Sequence, residues 1–337
     1  MKQVGRFDGK AVYEYELHND SGMKVTALNY GATLTGIYTP DRHGEIENVL
    51  LKYDDYKKYE KNDGYIGSLV GRTSGRTKHG VFHVDGLRAE VDKNDGNNHL
   101  HGGNKGLSHV FWDVEEKGHE LIFTYKSPDG EGGYPGNVAI KVTYTLTEKN
   151  QFVVTYHATT DTTTPINLTQ HAYFRLSGTK TKSILHHELM LNSNYFYTID
   201  SESLPVAKTS VEEHPAFDFR KPKLLKKAIY EKDDQITLAS GGIDHPFVLN
   251  DGEIAAVLME KESGRRMTIR TDDEAIVIYT GNMLLEGTKM NTKPVFQHGA
   301  ICLETQQIPN HIDLVLVKPD EEYKKVTTFT FDTVEDE

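Results

Sequence analysis

Apolar and polar side chains alternate with period two through most of this 337-residue chain. Val12-Tyr13-Glu14-Tyr15-Glu16-Leu17 sets Tyr13, Tyr15 and Leu17 on one face and Glu14 and Glu16 on the other. Leu121 to Tyr125, Ile140 to Leu146, Phe152 to Tyr156, Ile269 to Thr271, Ala275 to Tyr279 and Val326 to Phe331 are equally rich in β-branched and aromatic residues. Bounded by Gly, Asn, Asp and Pro, such runs predict antiparallel strands. Glu148-Lys149-Asn150 reads as a short hairpin connection. Helical signal is confined to one or two turns over 54–59 and 224–230, too short for crossover helices. The pattern therefore disfavours a doubly wound sheet or (β/α)₈ barrel. With no linker and no fixed-period repeat, the pattern predicts one all-β sandwich domain over 1–337. A propeller, the main competitor, requires a blade-length repeat that the chain does not show.

Charge narrows the function classes. The chain carries 38 Lys+Arg against 50 Asp+Glu, a net −12, whereas nucleic acids and anionic lipids select clustered cations. A single cysteine, Cys302, excludes an intrachain disulfide and suits a reducing compartment. The first residues lack the apolar stretch of a signal peptide, and no run approaches eighteen apolar residues. The expectation is a soluble, cytoplasmic protein without nucleic-acid or membrane partners.

Four stretches carry chemistry. In Asn97-Asn98-His99-Leu100-His101-Gly102-Gly103, an extended backbone would point His99 and His101 the same way, as in a metal chelate. No carboxylate follows through residue 106, so the glycines favour a ligand-approaching loop, or a plain hairpin, over a metal site. Asn167 to Leu176 reads as a strand in which His171 is either a satisfied core histidine or a general acid. Asp244, in Gly241-Gly242-Ile243-Asp244-His245, is either a turn or cap residue or a carboxylate that accepts two sugar hydroxyls. Glu304, alone in the apolar run Ile301 to Thr305, must be paired or purposeful because burying an unpaired charge is costly. Cys302 shares its face and reads as packing.

Taken together, Asn98 to Gly103, Asn167 to Phe174, Gly242 to His245 and Cys302 to Gln306 resemble the aldose 1-epimerases (galactose mutarotases). Arg72-Thr73-Ser74-Gly75-Arg76 is similar to the family's early arginine segment. The motifs keep the family's order over nearly the whole chain. The resemblance implies a sandwich of large, curved antiparallel sheets with few short helices and an open sugar cleft. It implies Glu304 as general base, His171 as general acid, and substrate binding by Arg76, His101, Asp244, Tyr173 and Gly75. Two positions depart from the pattern. Gly75 stands where the family often has Asn, and Val277 where it often has Gln, so two amides that could bond hydroxyls are missing.

The implied activity interconverts α and β anomers of free aldohexoses such as galactose and glucose. A base takes the C1-hydroxyl proton and an acid protonates the ring oxygen. The ring opens, turns about C1–C2 and recloses. An ordinary glutamate is ionised at neutral pH and a histidine near carboxylates is readily protonated; neither metal nor cofactor is required. Rival readings are an epimerase of phosphorylated hexoses, a glycoside hydrolase using Glu304 and Asp244, and a non-catalytic carbohydrate-binding sandwich. The motifs leave the preferred sugar and the oligomeric state open.

Overall fold

The computed structural model describes residues 1–284 and 286–335. Strands dominate, and the helices among the described residues are single turns. The predicted turns appear as a 3₁₀ turn at Tyr56–Glu60 and an α turn at Leu225–Ile229, joined by a second α turn at Asp234–Leu238. No described helix is long and apolar enough to cross a membrane.

Three antiparallel sheets organise the chain. Residues 2–48 form a five-stranded meander, strands pairing in sequence order from Lys2–Phe7 to Ile46–Asn48. A nine-stranded sheet runs in the order Asp113–Lys117, Glu120–Ser127, Val138–Leu146, Gln151–Thr160, Tyr323–Thr333, Arg265–Thr271, Ala256–Glu260, His187–Leu191, Lys223–Leu224. The Val138–Leu146 and Gln151–Thr160 strands alternate buried and partly exposed positions along their whole length. Between them the chain reverses at the expected connection, with Asn150 at φ 55°.

The inward faces meet in one apolar cluster drawn from residues as far apart as Tyr15 and Phe331. Phe174, from the six-stranded sheet described next, lies 5.6 Å ring to ring from Phe329 of the nine-stranded sheet; Phe329 also faces Phe152 at 6.0 Å. Each such ring contributes about 1.5–3 kcal/mol by leaving water, so the two sheets are bound face to face.

The six-stranded sheet runs Tyr173–Phe174, Ile301–Gln306, Ala275–Tyr279, Asp244–Leu249, Ser193–Ile199, Pro205–Ser210. Ile301–Gln306 and Ala275–Tyr279 are buried at every position. Period two explains how one buried strand serves two surroundings. Ile276, Ile278, Ile301 and Leu303 enter the main core, so Val277, Tyr279, Cys302, Glu304 and Gln306 point to the other face.

Candidate active site

Register assembles the floor of a cleft on that second face. Directly opposed residues of antiparallel strands share a face, and the pairs are Val277 with Glu304, Tyr279 with Cys302, Tyr173 with Cys302, and Asp244 with Tyr279. An acid from Asp244–Leu249, an acid from Ile301–Gln306 and the tyrosines between them therefore form a contiguous patch. The walls come from connections. A two-strand ribbon pairs Arg76–Thr77 with His99–Leu100 and delivers Arg76 and His101. The cavity above holds about 190 Å³, below the roughly 300–1,000 Å³ of drug-sized ligand sites. Glu304, His171, Asp244, Arg76, His101, Tyr173 and Gly75 all line it.

His171 does not lie within a strand as expected. The segment is broken into Thr169–Gln170, which pairs with Leu69–Val70, and Tyr173–Phe174, which pairs with Ile301–Gln306. His171 sits at the break, where the chain passes from one partner to the other. Its amide donates to the Ser68 carbonyl and its own carbonyl accepts from Gly67. The ring stands with Nε2 3.6 Å from Glu304 Oε1 and Nδ1 3.6 Å from Cys302 Sγ. The first distance is too long for a hydrogen bond, so both groups face the cleft instead of neutralising each other directly. Burial pushes the Cys302 thiol up, which keeps it protonated.

Burial also moves the acid–base pair in opposite directions. It lowers His171 to about 4. It raises Glu304 well above the usual carboxylate range, reinforced by the Asp244 carboxylate and opposed by Arg76. An ionised glutamate beside a ready imidazolium, expected from the sequence, is thus corrected: desolvation disfavours charge on both. In water the charged pair Glu⁻/HisH⁺ is favoured over GluH/His by about two pK units; here burial works against that preference from both sides, lowering the imidazole and raising the carboxyl.

Arg76 is shared between two carboxylates. Its Nε donates to Asp95 Oδ2 at 2.7 Å, and its Nη1 lies 3.7 Å from Asp244 Oδ2. Burial works against its charge, but Asp244 and Asp95 outweigh it. Asp244 is the first residue of a strand, so the turn-or-cap alternative does not hold. Burial raises it, with Arg76 opposing. Its amide donates to His245 Nδ1 at 3.0 Å, and His245 Nε2 bonds Gln235 Oε1 at 3.1 Å. Asp95, which fixes Arg76 from a hairpin turn, carries no sequence signal; His245, which fixes the Asp244 backbone, lies in a matched segment but faces the core. Tyr173 packs 5.0 Å from His171 and donates its hydroxyl to the Gly64 carbonyl at 2.9 Å.

The two histidines of the 97–103 segment part company. His99 is fully buried, with Nδ1 2.7 Å from the Asp92 carbonyl and Nε2 2.6 Å from the Tyr134 hydroxyl. His101 takes φ 52° at the turn, so the extended backbone that would align the pair is absent. His101 instead meets His171 and Glu304, the three offering donor atoms within 4.8 Å of one another. A third ligand, missing nearby in sequence, therefore exists in space. The tautomer opposes its use. The Gly75 amide donates to His101 Nδ1 at 3.1 Å, which leaves the proton on Nε2, whereas a metal-bound imidazole donates from its outer nitrogen. His101 is set as a hydrogen-bond donor toward the cleft. Gly75, at φ 71°, also lies under Pro309: an added Cβ would stand 2.5 Å from that ring. No side chain fits there, so the absence of an amide at 75 belongs to the shape of this cleft.

An open cleft on a sandwich sheet, floored by a neighbouring carboxylate and imidazole and walled by hydrogen-bonding groups, defines an acid–base enzyme for a small polar ligand. Comparison with known proteins narrows the class. The family model described as aldose 1-epimerase matches residues 13–330. Galactose mutarotase of Sus scrofa is 36% identical over 329 residues, covering 95% of this chain and 94% of that protein. Aldose 1-epimerase of Escherichia coli K12 is 29% identical over 336 residues, covering 96% of each. Among solved structures, galactose 1-epimerase from Lactobacillus acidophilus superposes with a TM-score of 0.88 at 31% identity, covering 99% of this chain and 98% of that one. An aldose epimerase homologue from C. elegans gives 0.89 at 28% identity, covering 96% and 100%. The chain belongs to the aldose 1-epimerase family, whose members are isomerases.

Proposed function

We propose that this protein interconverts the α and β anomers of free aldohexoses such as galactose and glucose, with Glu304 as base and His171 as acid. The observation that carries the reading is the pair itself, 3.6 Å apart on the cleft floor, with burial opposing charge on both groups, lowering the imidazole and raising the carboxyl. Glu304 takes the C1-hydroxyl proton while His171 gives its proton to the ring oxygen. The C1–O5 bond breaks, leaving the aldehyde with a hydroxyl at C5. The pair has passed from Glu⁻/HisH⁺ to GluH/His without changing its total of one proton. After rotation about C1–C2, the same transfers in reverse close the ring on the other face. Each transfer is reversible and the pair keeps its single proton throughout, so the cycle runs both ways, as an isomerase requires.

Arg76, His101 and Asp244 are assigned to hydroxyl binding, Arg76 and His101 as donors and Asp244 as acceptor. Tyr173 holds the His171 ring, and Gly75 fixes the His101 tautomer. Neither metal nor cofactor enters this scheme. The same reading takes residues 1–337 as one domain acting in the cytoplasm, supported by a main apolar cluster that draws on residues from Tyr15 to Phe331 and by the single buried cysteine. A net charge of −12 supports the absence of nucleic-acid partners. Among the described residues lining the cleft, Arg76 is the sole Lys or Arg, and it is already held by two carboxylates. This favours a free sugar over a phosphorylated one, whose phosphate needs uncommitted cations. Polarimetry on freshly dissolved α-galactose, α-glucose and glucose 6-phosphate tests the assignment. Faster decay of rotation for the free sugars is expected. Rates equal to the buffer blank for every aldose would refute it, and a preference for the phosphate would transfer it to phosphorylated hexoses.

A further inference from the structure

Tyr65 lines the cleft, yet neither the motifs nor the acid–base pair accounts for it. Its backbone stands at φ 52°, in the left-handed region that bulky residues rarely enter. The turn itself gives no reason for an aromatic residue there; glycine or asparagine would meet it with less strain. Local bonds hold it in place. The Tyr65 amide donates to the Asn62 carbonyl at 2.8 Å, the Ser68 amide donates to the Tyr65 carbonyl at 3.0 Å, and the Asn62 side chain accepts from the Ile66 amide at 2.9 Å.

The ring is fixed at its far end as well. Its hydroxyl accepts from Asn94 Nδ2 at 3.1 Å, and Asn94 is itself tied into the ribbon by accepting from the Leu100 amide at 2.8 Å. Between these anchors the ring stands edge-on to His101, 4.8 Å between centroids, and 6.1 Å from His171. It remains only half-buried. A strained backbone maintained where nothing in the turn requires it points to a functional constraint. A rigid aromatic beside the two histidines, with surface left open to the cleft, offers what a pyranose needs apart from hydrogen bonds: an apolar plane for its C–H face.

We propose that Tyr65 is a substrate-contacting residue, an aromatic wall against which the C–H face of the pyranose packs so that C1 and the ring oxygen face Glu304 and His171. This rests on the aldose reading above and adds to it a contact that none of the matched motifs contains. Contact with a non-reacting face is equal in ground and transition states, so its loss raises KM and spares kcat. Aromatic contacts of this kind set a loss of roughly three- to tenfold.

The test compares Tyr65→Asn, Tyr65→Leu and Tyr65→Phe by polarimetric kinetics, galactose titration calorimetry and thermal melting. Tyr65→Asn relieves the strain and removes the ring: an unchanged or higher Tm with a three- to tenfold higher KM and Kd is expected, kcat staying within twofold. Tyr65→Leu keeps apolar volume without the ring face and should also weaken binding, which preserves the test if the Asn variant folds poorly. Tyr65→Phe keeps the ring and should bind within twofold of wild type. Unchanged Kd in the Asn and Leu variants, or a loss in Tyr65→Phe equal to theirs, would overturn the proposal. Calorimetric Kd does not depend on turnover, so failure of this contact is distinguishable from failure of the mutarotase reading, which wild-type polarimetry reports separately.

Discussion

Glu304→Gln removes the base, and the structure says it should disable the acid too. Gln keeps the shape of the side chain but has no basic oxygen, which costs at least about 10²-fold. It also removes the negative charge 3.6 Å from His171. Burial already lowers His171 to about 4 with Glu304 in place, and the variant takes away the nearest counter-charge for its protonated form. At pH 7 only about one molecule in 10³ then carries the imidazolium. The combined loss in kcat should reach on the order of 10⁴-fold or more, near the uncatalysed background, with KM little changed because the binding groups remain. The residual activity has a signature. Protonation of a lone His171 grows about tenfold for each unit the pH falls from 7 toward 5, so blank-corrected kcat of the variant should climb with that slope. Polarimetry of α-galactose at pH 7, 6 and 5, with buffer rates subtracted, measures it. Near-wild-type kcat in Glu304→Gln would refute the role of the glutamate; a residual rate independent of pH would refute the coupling to His171.

The remaining expectations use other parts of the molecule. His171→Asn leaves the base in place and lets water supply the ring-oxygen proton poorly, so single-turnover polarimetry should find about 10²-fold loss, smaller than in Glu304→Gln. Asp95→Asn frees Arg76 from its 2.7 Å partner and lets it close on Asp244, so KM for galactose should rise several-fold while kcat changes less; equal KM would show that Asp95 does not set the arginine. His171, His187 and His245 have folded pKa values of about 4, 4 and 3, all lowered chiefly by burial, against about 6.5 unfolded. Below pH 6.5 the unfolded chain gains protons that the folded chain refuses. Their contribution to stability is therefore complete above 6.5 and lost toward pH 4, at about 1.4 kcal/mol per unit for each histidine; calorimetric Tm should fall steeply over that interval and less so in His245→Gln. Prolonged dialysis against a chelator should leave kcat unchanged, and Co²⁺ should give no ligand-field bands with the protein, since the Gly75 amide denies His101 the tautomer a metal needs.

The strands were legible because each buries one face, and a period of two survives in the side chains of Val138–Leu146 and Gln151–Thr160. Glu304 stood out for the same reason, a charge inside an apolar run. The break at His171 was not legible: Thr169, Gln170, Tyr173 and Phe174 all favour strands, and only their different partners interrupt the pairing. Nor was the division of labour between His99 and His101, which is settled by a left-handed turn and by the distant acceptors Asp92 and Tyr134. The pair's proton affinities escaped for a related reason. Ordinary values describe a group in water, and the burial that displaces them arises only when three distant segments close over one patch. Asp95 and Tyr65 are silent in sequence because their roles reside in what they touch, an arginine and two imidazoles brought from elsewhere in the chain.

The base rides on a strand bonded along both edges, while Arg76, His101 and Tyr65 come from the ribbon and turns above it. Variation therefore acts on the two unequally. Insertions or exchanges in the turns around 62–65, 93–98 and 200–204, the last of which brings Ser203 to the cleft lining, reshape the opening without disturbing the register that sets Glu304 beside His171. Descent within such an architecture can exchange one sugar for another by altering the mouth alone. A combinatorial library confined to those three turns is accordingly where a chemist seeking anomerisation of an unnatural aldose should begin.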